Sequence, residues 1–239
     1  TELHELLEQA GEQPPYLLVG HSMGGPFSRL FFSRYPQEVA GMVWVDSAHE
    51  ELPRYIPFWK SAMTNFLFLV QAAALLSRLG IVRLAGRRLI LAAYPSVRDP
   101  QAQATLVAQT TPPKLFDTLI DETRQMVKAK NWLDAPTGLG DLPVISIEVQ
   151  YSVEAPPRYP PKQWAEFRAG WQAIHESLHH LSTNLRHIPA ATGHVVMAEQ
   201  PLLVIDAVRE MLEMTTVRKP QPPFADPGTA GSSSTKLSE

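Results

Sequence analysis

Residues 16–25 read YLLVGHSMGG, an apolar run that ends in a serine set among glycines. Tyr16 to Gly20 has the length and composition of a buried β-strand, because strands covered on both faces are short and continuously apolar. Ser22 follows at once, and apolar residues then recur at helical spacing until Pro36 stops the pattern. The stretch therefore predicts a strand, a sharp turn and a helix.

The turn carries a Gly-x-Ser-x-Gly pattern, made by Gly20, Ser22 and Gly24. Between a strand and a helix, this pattern holds a serine hydroxyl exposed on strained backbone, where it can act as a nucleophile. Glycine is expected on both sides because a Cβ there would collide with neighbouring backbone. The following helix directs its positive end toward the site, and the backbone N–H of Met23 is predicted to donate to a developing oxyanion.

A second buried strand is predicted from Val39 to Val45, and it ends at Asp46. A strand, helix and strand in this order form a βαβ unit of a parallel sheet. Two further strands are predicted, at 142–149 and 184–189, with an amphipathic helix between them. The fold class is therefore α/β, with a mostly parallel sheet.

Periodicity and composition divide the chain into four predicted parts. Residues 1–49 hold the βαβ unit, and residues 141–218 hold the last two strands and a closing helix. Residues 50–140 are mainly helical, which predicts a helical cap inserted between two strands of the sheet. Residues 219–239 are rich in Pro, Gly and Ser and offer almost nothing to bury, which predicts a disordered tail.

The composition excludes several classes of function. The 239 residues contain no cysteine, so a cysteine nucleophile, a disulfide and a thiolate metal site are excluded. A net charge of -3 gives no reason to expect a nucleic-acid partner. Arginines interrupt the most apolar stretch, residues 66–92, which argues against a stable membrane span. The chain opens without a signal-peptide pattern, so a cytoplasmic location is the default expectation.

With its strand–turn–helix context, the serine motif resembles the nucleophile elbow of the α/β-hydrolase superfamily. Gly193-His194, followed by a Pro and a closing helix, is similar to the loop that carries the catalytic histidine of that family. The resemblance implies Ser22 as nucleophile and His194 as base in a serine hydrolase of the carboxylesterase or lipase-like kind. His21, inside the elbow, is expected to line the site. C–C bond hydrolysis, acyl transfer and perhydrolysis stay open within the same fold.

The resemblance also carries expectations about substrate and chain length. It implies no cofactor, and the apolar residues of the predicted cap point to a small hydrophobic ester as substrate. Epoxide hydrolases and haloalkane dehalogenases of this fold use Asp where Ser22 stands, which disfavours those chemistries. Family members place several strands and a second oxyanion donor before the nucleophile, so this chain is expected to lack the N-terminal part of the fold.

The acid of the triad is left open by the sequence. The usual family position falls near Ser152, where no Asp stands, and Glu148 and Glu154 are close by. A minority of the family places the acid at the end of the strand after the nucleophile helix, where Asp46 stands. Asp46 is the preferred candidate, and its role would be to hold the tautomer of His194.

A competing motif lies on the amphipathic helix. His175-Glu176-Ser177-Leu178-His179 fits His-Glu-x-x-His, the pattern of zinc peptidases. The alternative functions are therefore a zinc metallopeptidase that uses His175, Glu176 and His179, and an inactive hydrolase fragment. Chelators would abolish the zinc activity, whereas a Ser22→Ala substitution would not.

Overall fold

A computed structural model of the chain describes residues 2–93, 99–128, 138–156 and 159–216. The predicted disordered tail, 219–239, lies outside these residues. The described part forms four β-strands, with these bounds: β1 Tyr16–His21, β2 Val39–Val45, β3 Val144–Val149 and β4 Leu185–Ala190. The predicted strands are confirmed to within two residues at either end.

The four strands form one sheet in the order β1-β2-β3-β4, and each neighbouring pair is parallel. His21 at the end of β1 pairs with Val45, and Val45 pairs in turn with Ile147. Because the strands are parallel and in close register, their carboxyl ends meet at one edge of the sheet. The parallel α/β architecture predicted from the sequence is confirmed.

Ten α-helices accompany the sheet in the described residues. Their bounds are α1 Glu2–Ala10, α2 Gly24–Arg34, α3 Leu52–Tyr55, α4 Trp59–Arg78, α5 Ile81–Ala93, α6 Pro100–Thr110, α7 Pro113–Lys128, α8 Pro161–Leu178, α9 Val196–Glu199 and α10 Pro201–Thr216. A short 3₁₀ turn covers Pro36–Glu38 between α2 and β2. Helices α3 to α7 all fall between β2 and β3, as the apolar patterns of residues 50–140 predict.

Alternation along the strands separates the core into two layers. Met42 and Trp44 of β2 pack on one face with α2 and α8, whereas Val43 and Val45 pack on the other face with α10. Both faces are apolar because a parallel sheet is covered by helices on each side. The predicted apolar stripe of α8 is confirmed, since Trp171, Ile174 and Leu178 are buried in the first layer.

A third, smaller core joins α4 to α7. It consists of Val70, Ala74 and Ile120, packed against partly buried neighbours. Helix α9 is not visible as a sequence pattern, because four residues are too few to show helical periodicity. Within the described residues, no helix is long and apolar enough to cross a membrane.

Candidate active site

Ser22 stands on the turn between β1 and α2 with a left-handed backbone, at φ +54°. Its N–H donates to the Val45 carbonyl at 3.0 Å, and its carbonyl accepts from Ala48 N at 2.9 Å and Gly25 N at 3.2 Å. A non-glycine residue in this conformation costs on the order of 1–3 kcal/mol and persists only where its surroundings impose it. These bonds to neighbouring backbone impose it here, and the side chain remains partly exposed.

The glycines around Ser22 have different roles. A Cβ on Gly20 would lie 2.4 Å from the backbone of Gly24, and a Cβ on Gly25 would lie 1.8 Å from Ser47 Oγ. A Cβ on Gly24 would meet no atom within 4 Å. The expected clash is therefore correct for Gly20 and wrong for Gly24. Close packing of the turn against β2 instead requires glycine at Gly25.

Met23 supplies the first backbone N–H after Ser22. Its backbone is helical, at φ −63° and ψ −21°, and it immediately precedes α2. Among the described residues, its N–H donates to no protein acceptor. A free N–H at the start of a helix, adjacent to the hydroxyl, has the character required of an oxyanion donor.

Asp46 follows β2 as Ser22 follows β1, and it too has a left-handed backbone, at φ +44°. Its side chain is fully buried. Five groups surround the carboxylate: Val149 N at 3.2 Å and Trp171 Nε1 at 2.9 Å from Oδ1, His175 Nε2 at 3.2 Å from Oδ1, and Tyr151 Oη and His194 Nδ1 each at 2.6 Å from Oδ2.

These surroundings decide the charge of the carboxylate. Burial alone would raise the pKa of Asp46, because it penalises the charged form. The close contacts with His175, His194 and Tyr151 outweigh burial and hold the pKa below its usual range. Asp46 is therefore an anion at neutral pH, and it accepts the proton on His194 Nδ1.

His194 lies on the loop between β4 and α9. Its Nδ1–H donates to Asp46, which leaves Nε2 as the basic nitrogen of the neutral ring. His21 donates from Nε2 to the His194 carbonyl at 2.8 Å, and the two rings lie 4.6 Å apart. Among the described contacts, no hydrogen bond joins Ser22 Oγ to His194. Such bonds are often long in ligand-free enzymes and tighten when substrate binds.

The loop around His194 is fixed by a carboxylate. Gly193 N donates to both oxygens of Glu199, at 3.1 and 3.0 Å. A Cβ on Gly193 would lie 2.7 Å from Glu199 Oε1, so a larger residue here would push the end of the Glu199 side chain away from the loop. The sequence pattern located the loop but did not connect Glu199 to it.

Three further contacts of Asp46 are not predicted by the sequence reasoning. Trp171 and His175 are one turn apart on the buried face of α8, so helical periodicity could have placed both toward the sheet. Tyr151 follows β3 with no motif to mark it. Burial, and then the charge of Asp46, raise the pKa of Tyr151, so its hydroxyl stays protonated and donates.

The alternative acids lie elsewhere. Glu148 accepts from His179 Nε2 at 2.6 Å, and Glu154 is exposed on the loop after β3. In the described contacts neither approaches His194, so the structure brings Asp46 to this histidine and leaves both glutamates away from it.

The two histidines of the His-Glu-x-x-His motif have different partners. His175 faces Asp46, whereas His179 faces Glu148. Among the described residues, the one group of three potential ligands whose atoms lie within 4.8 Å of one another does not include His175 or Glu176. The predicted peptidase ligand set is therefore not assembled.

Comparison with known proteins bears on the fold. The family model of the alpha/beta hydrolase fold matches residues 1–96. An uncharacterized protein of Schizosaccharomyces pombe is 37% identical over 84 residues, which are 35% of this chain and 15% of that protein. The chain thus spans less than a fifth of the length of this curated relative.

Solved structures are similar over most of the chain. An epoxide hydrolase of Bacillus megaterium matches with a TM-score of 0.57 and 16% identity, covering 89% of this chain and 74% of that one. A lipase candidate of Acinetobacter baumannii matches with a TM-score of 0.55 and 16% identity, covering 91% and 67%. At this identity the likeness establishes the α/β-hydrolase fold.

Proposed function

Because this chain has the α/β-hydrolase fold, we propose that it is a serine hydrolase that cleaves carboxylic esters through an acyl-enzyme. The observation that carries the proposal is the 2.6 Å contact between His194 Nδ1 and the buried carboxylate of Asp46. An imidazole fixed in this way presents a basic Nε2, which can take the proton of Ser22 during attack.

Each step then has a candidate residue. Ser22 Oγ attacks the acyl carbonyl as His194 accepts its proton, and the Met23 N–H stabilises the oxyanion. His194 returns the proton to the leaving alcohol, and water repeats the sequence on the acyl-enzyme. Asp46 stays ionised throughout and stabilises the imidazolium that forms.

A serine nucleophile favours acyl chemistry over epoxide opening, the reaction named for one of the structural neighbours. The proposed substrate is a small hydrophobic ester. Phe58 and Trp59, at the start of α4, pack against the same core cluster as Met23. Phe66 and Phe68 are exposed instead.

Labelling by a fluorophosphonate probe tests the proposal. The full chain is expected to label at Ser22, and Ser22→Ala is expected to abolish labelling. Ser33→Ala is the matched control, since Ser33 is exposed on α2 and its hydroxyl, among the described residues, donates only to the Leu30 carbonyl. Hydrolysis of p-nitrophenyl esters of increasing acyl length would then define the substrate. A folded chain that neither labels nor hydrolyses any ester would contradict the proposal.

A further inference from the structure

Glu148 is a buried carboxylate with an unusual partner. It lies inside β3, its side chain is 6% exposed, and its ion-pair partner is His179, at 2.6 Å. Among the described residues, no lysine or arginine forms an ion pair with it. Burying a carboxylate is costly unless a positive charge or a metal compensates it.

Two more polar groups share the same face of the sheet. Side chains alternate along a strand, so Ser146 and Glu148 lie on one face of β3. Ser146 pairs in register with His187 of β4. Ser146 Oγ is fully buried and, among the described residues, has no hydrogen-bond partner. The His187 ring lies 4.9 Å from the ring of His179, which follows α8 on this face.

We propose that Glu148, His179 and His187 bind one divalent transition-metal ion, with Zn²⁺ as the favoured occupant. Two imidazoles and one carboxylate are a common donor set for zinc with three protein ligands. Their ligand atoms lie within 4.8 Å of one another. Tetrahedral zinc with bonds of about 2.1 Å separates its ligand atoms by roughly 3.4 Å, so side-chain adjustments of about 1 Å complete the site.

The site is accessible. Glu148 and His179 line a cavity of about 380 Å³, and His187 is exposed on β4. A metal ion can therefore enter from solvent, and water can fill the fourth coordination position. The ion would also place positive charge beside the buried carboxylate.

The consequence of binding is mechanical. The ion would tie the carboxyl end of α8 to β3 and β4, and α8 is the helix whose Trp171 and His175 contact Asp46. The metal would therefore stabilise the support of Asp46 without taking part in ester cleavage. This site shares His179 with the peptidase pattern but not His175 or Glu176, and it does not depend on the proposed esterase activity.

Metal binding to the full chain, prepared without a histidine tag, tests the inference. Calorimetric titration with Zn²⁺ is expected to show one equivalent bound, and Co²⁺ is expected to give the visible absorption of a tetrahedral site. Free Zn²⁺ at 100 times the dissociation constant is expected to raise Tm by roughly 5–10 °C, as expected for a ligand specific to the folded state of a chain this long.

Variants assign the ligands. His187→Ala and Glu148→Gln are each expected to weaken Zn²⁺ binding by more than roughly 100-fold. Removing a residue that only hydrogen-bonds to a metal ligand already lowers metal affinity by roughly 10–100-fold, and removing a ligand itself should cost more. His180→Ala is the matched control, since His180 is the exposed neighbour of His179. If Glu148→Gln fails to fold, His187→Ala still tests the inference, because the His187 side chain is exposed. Absence of stoichiometric binding, or equal binding by His187→Ala and His180→Ala, would overturn the inference.

Discussion

At the scale of single residues, Asp46 is held by groups from three parts of the chain, and a neutral replacement would disturb all of them. Asn in place of Asp46 would offer an N–H toward groups that themselves donate, and it would favour the wrong tautomer of His194. We expect Asp46→Asn to lower kcat for p-nitrophenyl esters by roughly 10³–10⁴-fold with little change in KM.

The control for this experiment is Asp206→Asn, an exposed carboxylate on α10 that pairs with Arg209. It is expected to retain the rate of the parent chain. An Asp46→Asn variant that hydrolyses esters at the parent rate would show that another acid orients His194.

His49 gives a second prediction at this scale, on stability rather than rate. Burial, and then the charge of Arg29, lower the pKa of His49 to about 4. Its Nδ1 accepts from Glu51 N at 3.0 Å, a bond that protonation of Nδ1 would break. An unfolded histidine has a pKa of about 6.5, so between these values the unfolded chain binds more protons.

Stability therefore falls as pH falls from about 6.5 to 4, by on the order of 3 kcal/mol from His49 alone. Urea unfolding at several pH values measures this slope. Burial also lowers the pKa of His21, which adds to the slope with the same sign. His49→Gln is expected to flatten the slope relative to the parent chain, and His180→Gln is expected to leave it unchanged. Equal slopes for His49→Gln and the parent chain would contradict the assignment.

How far the sequence predicts the candidate site also depends on the residue. Ser22 and His194 are predicted from local motifs: each is marked by neighbours in the chain and by position relative to a strand. The preference for Asp46 follows from strand-end position. Tyr151 and Trp171 reach Asp46 only through tertiary packing, and neither adjoins it in the chain. No local pattern encodes that contact.

At the scale of elements, the junction between β1 and α2 depends on one close approach. Gly20→Ala would bring a Cβ within 2.4 Å of the Gly24 backbone, which cannot move without displacing α2. We expect Gly20→Ala to lower the free energy of unfolding by roughly 1–3 kcal/mol and to reduce probe labelling. Gly24→Ala is the matched control, because a Cβ there meets open space.

Denaturant unfolding of the two variants measures the difference. If Gly24→Ala destabilised the chain as much as Gly20→Ala, the clash would not be the cause.

Strands and long helices are predictable here because continuous apolar runs and helical stripes mark them. The four-residue helix α9 follows from tertiary packing of Val196, which is fully buried in the second core layer.

At the scale of the whole molecule, the helices between β2 and β3 expose much apolar surface. Six side chains on or beside α4 and α5 are 60% exposed or more: Phe68, Leu69, Leu75, Leu79, Leu84 and Leu89. Large exposed apolar surfaces promote association in solution. We expect the chain to self-associate with increasing concentration, as measured by sedimentation velocity.

The double variant Leu84→Gln/Leu89→Gln is expected to lower this association with a change in unfolding free energy within about 0.5 kcal/mol, since both side chains are exposed. Leu202→Gln is the control, because Leu202 is 68% exposed but lies on α10. If all three chains sediment alike at every concentration, the surface of α4 and α5 is not an association surface.

The groups that surround Asp46 come from residues 149, 151, 171, 175 and 194, and none comes from helices α3 to α7. Ser22 is fixed by backbone on β2 and the turn after it. The proposed reaction centre thus takes none of these direct contacts from the helices between β2 and β3. During evolution, the segment between β2 and β3 could be exchanged or lengthened, which would change the substrate range. The residues of the proposed proton transfer would stay the same.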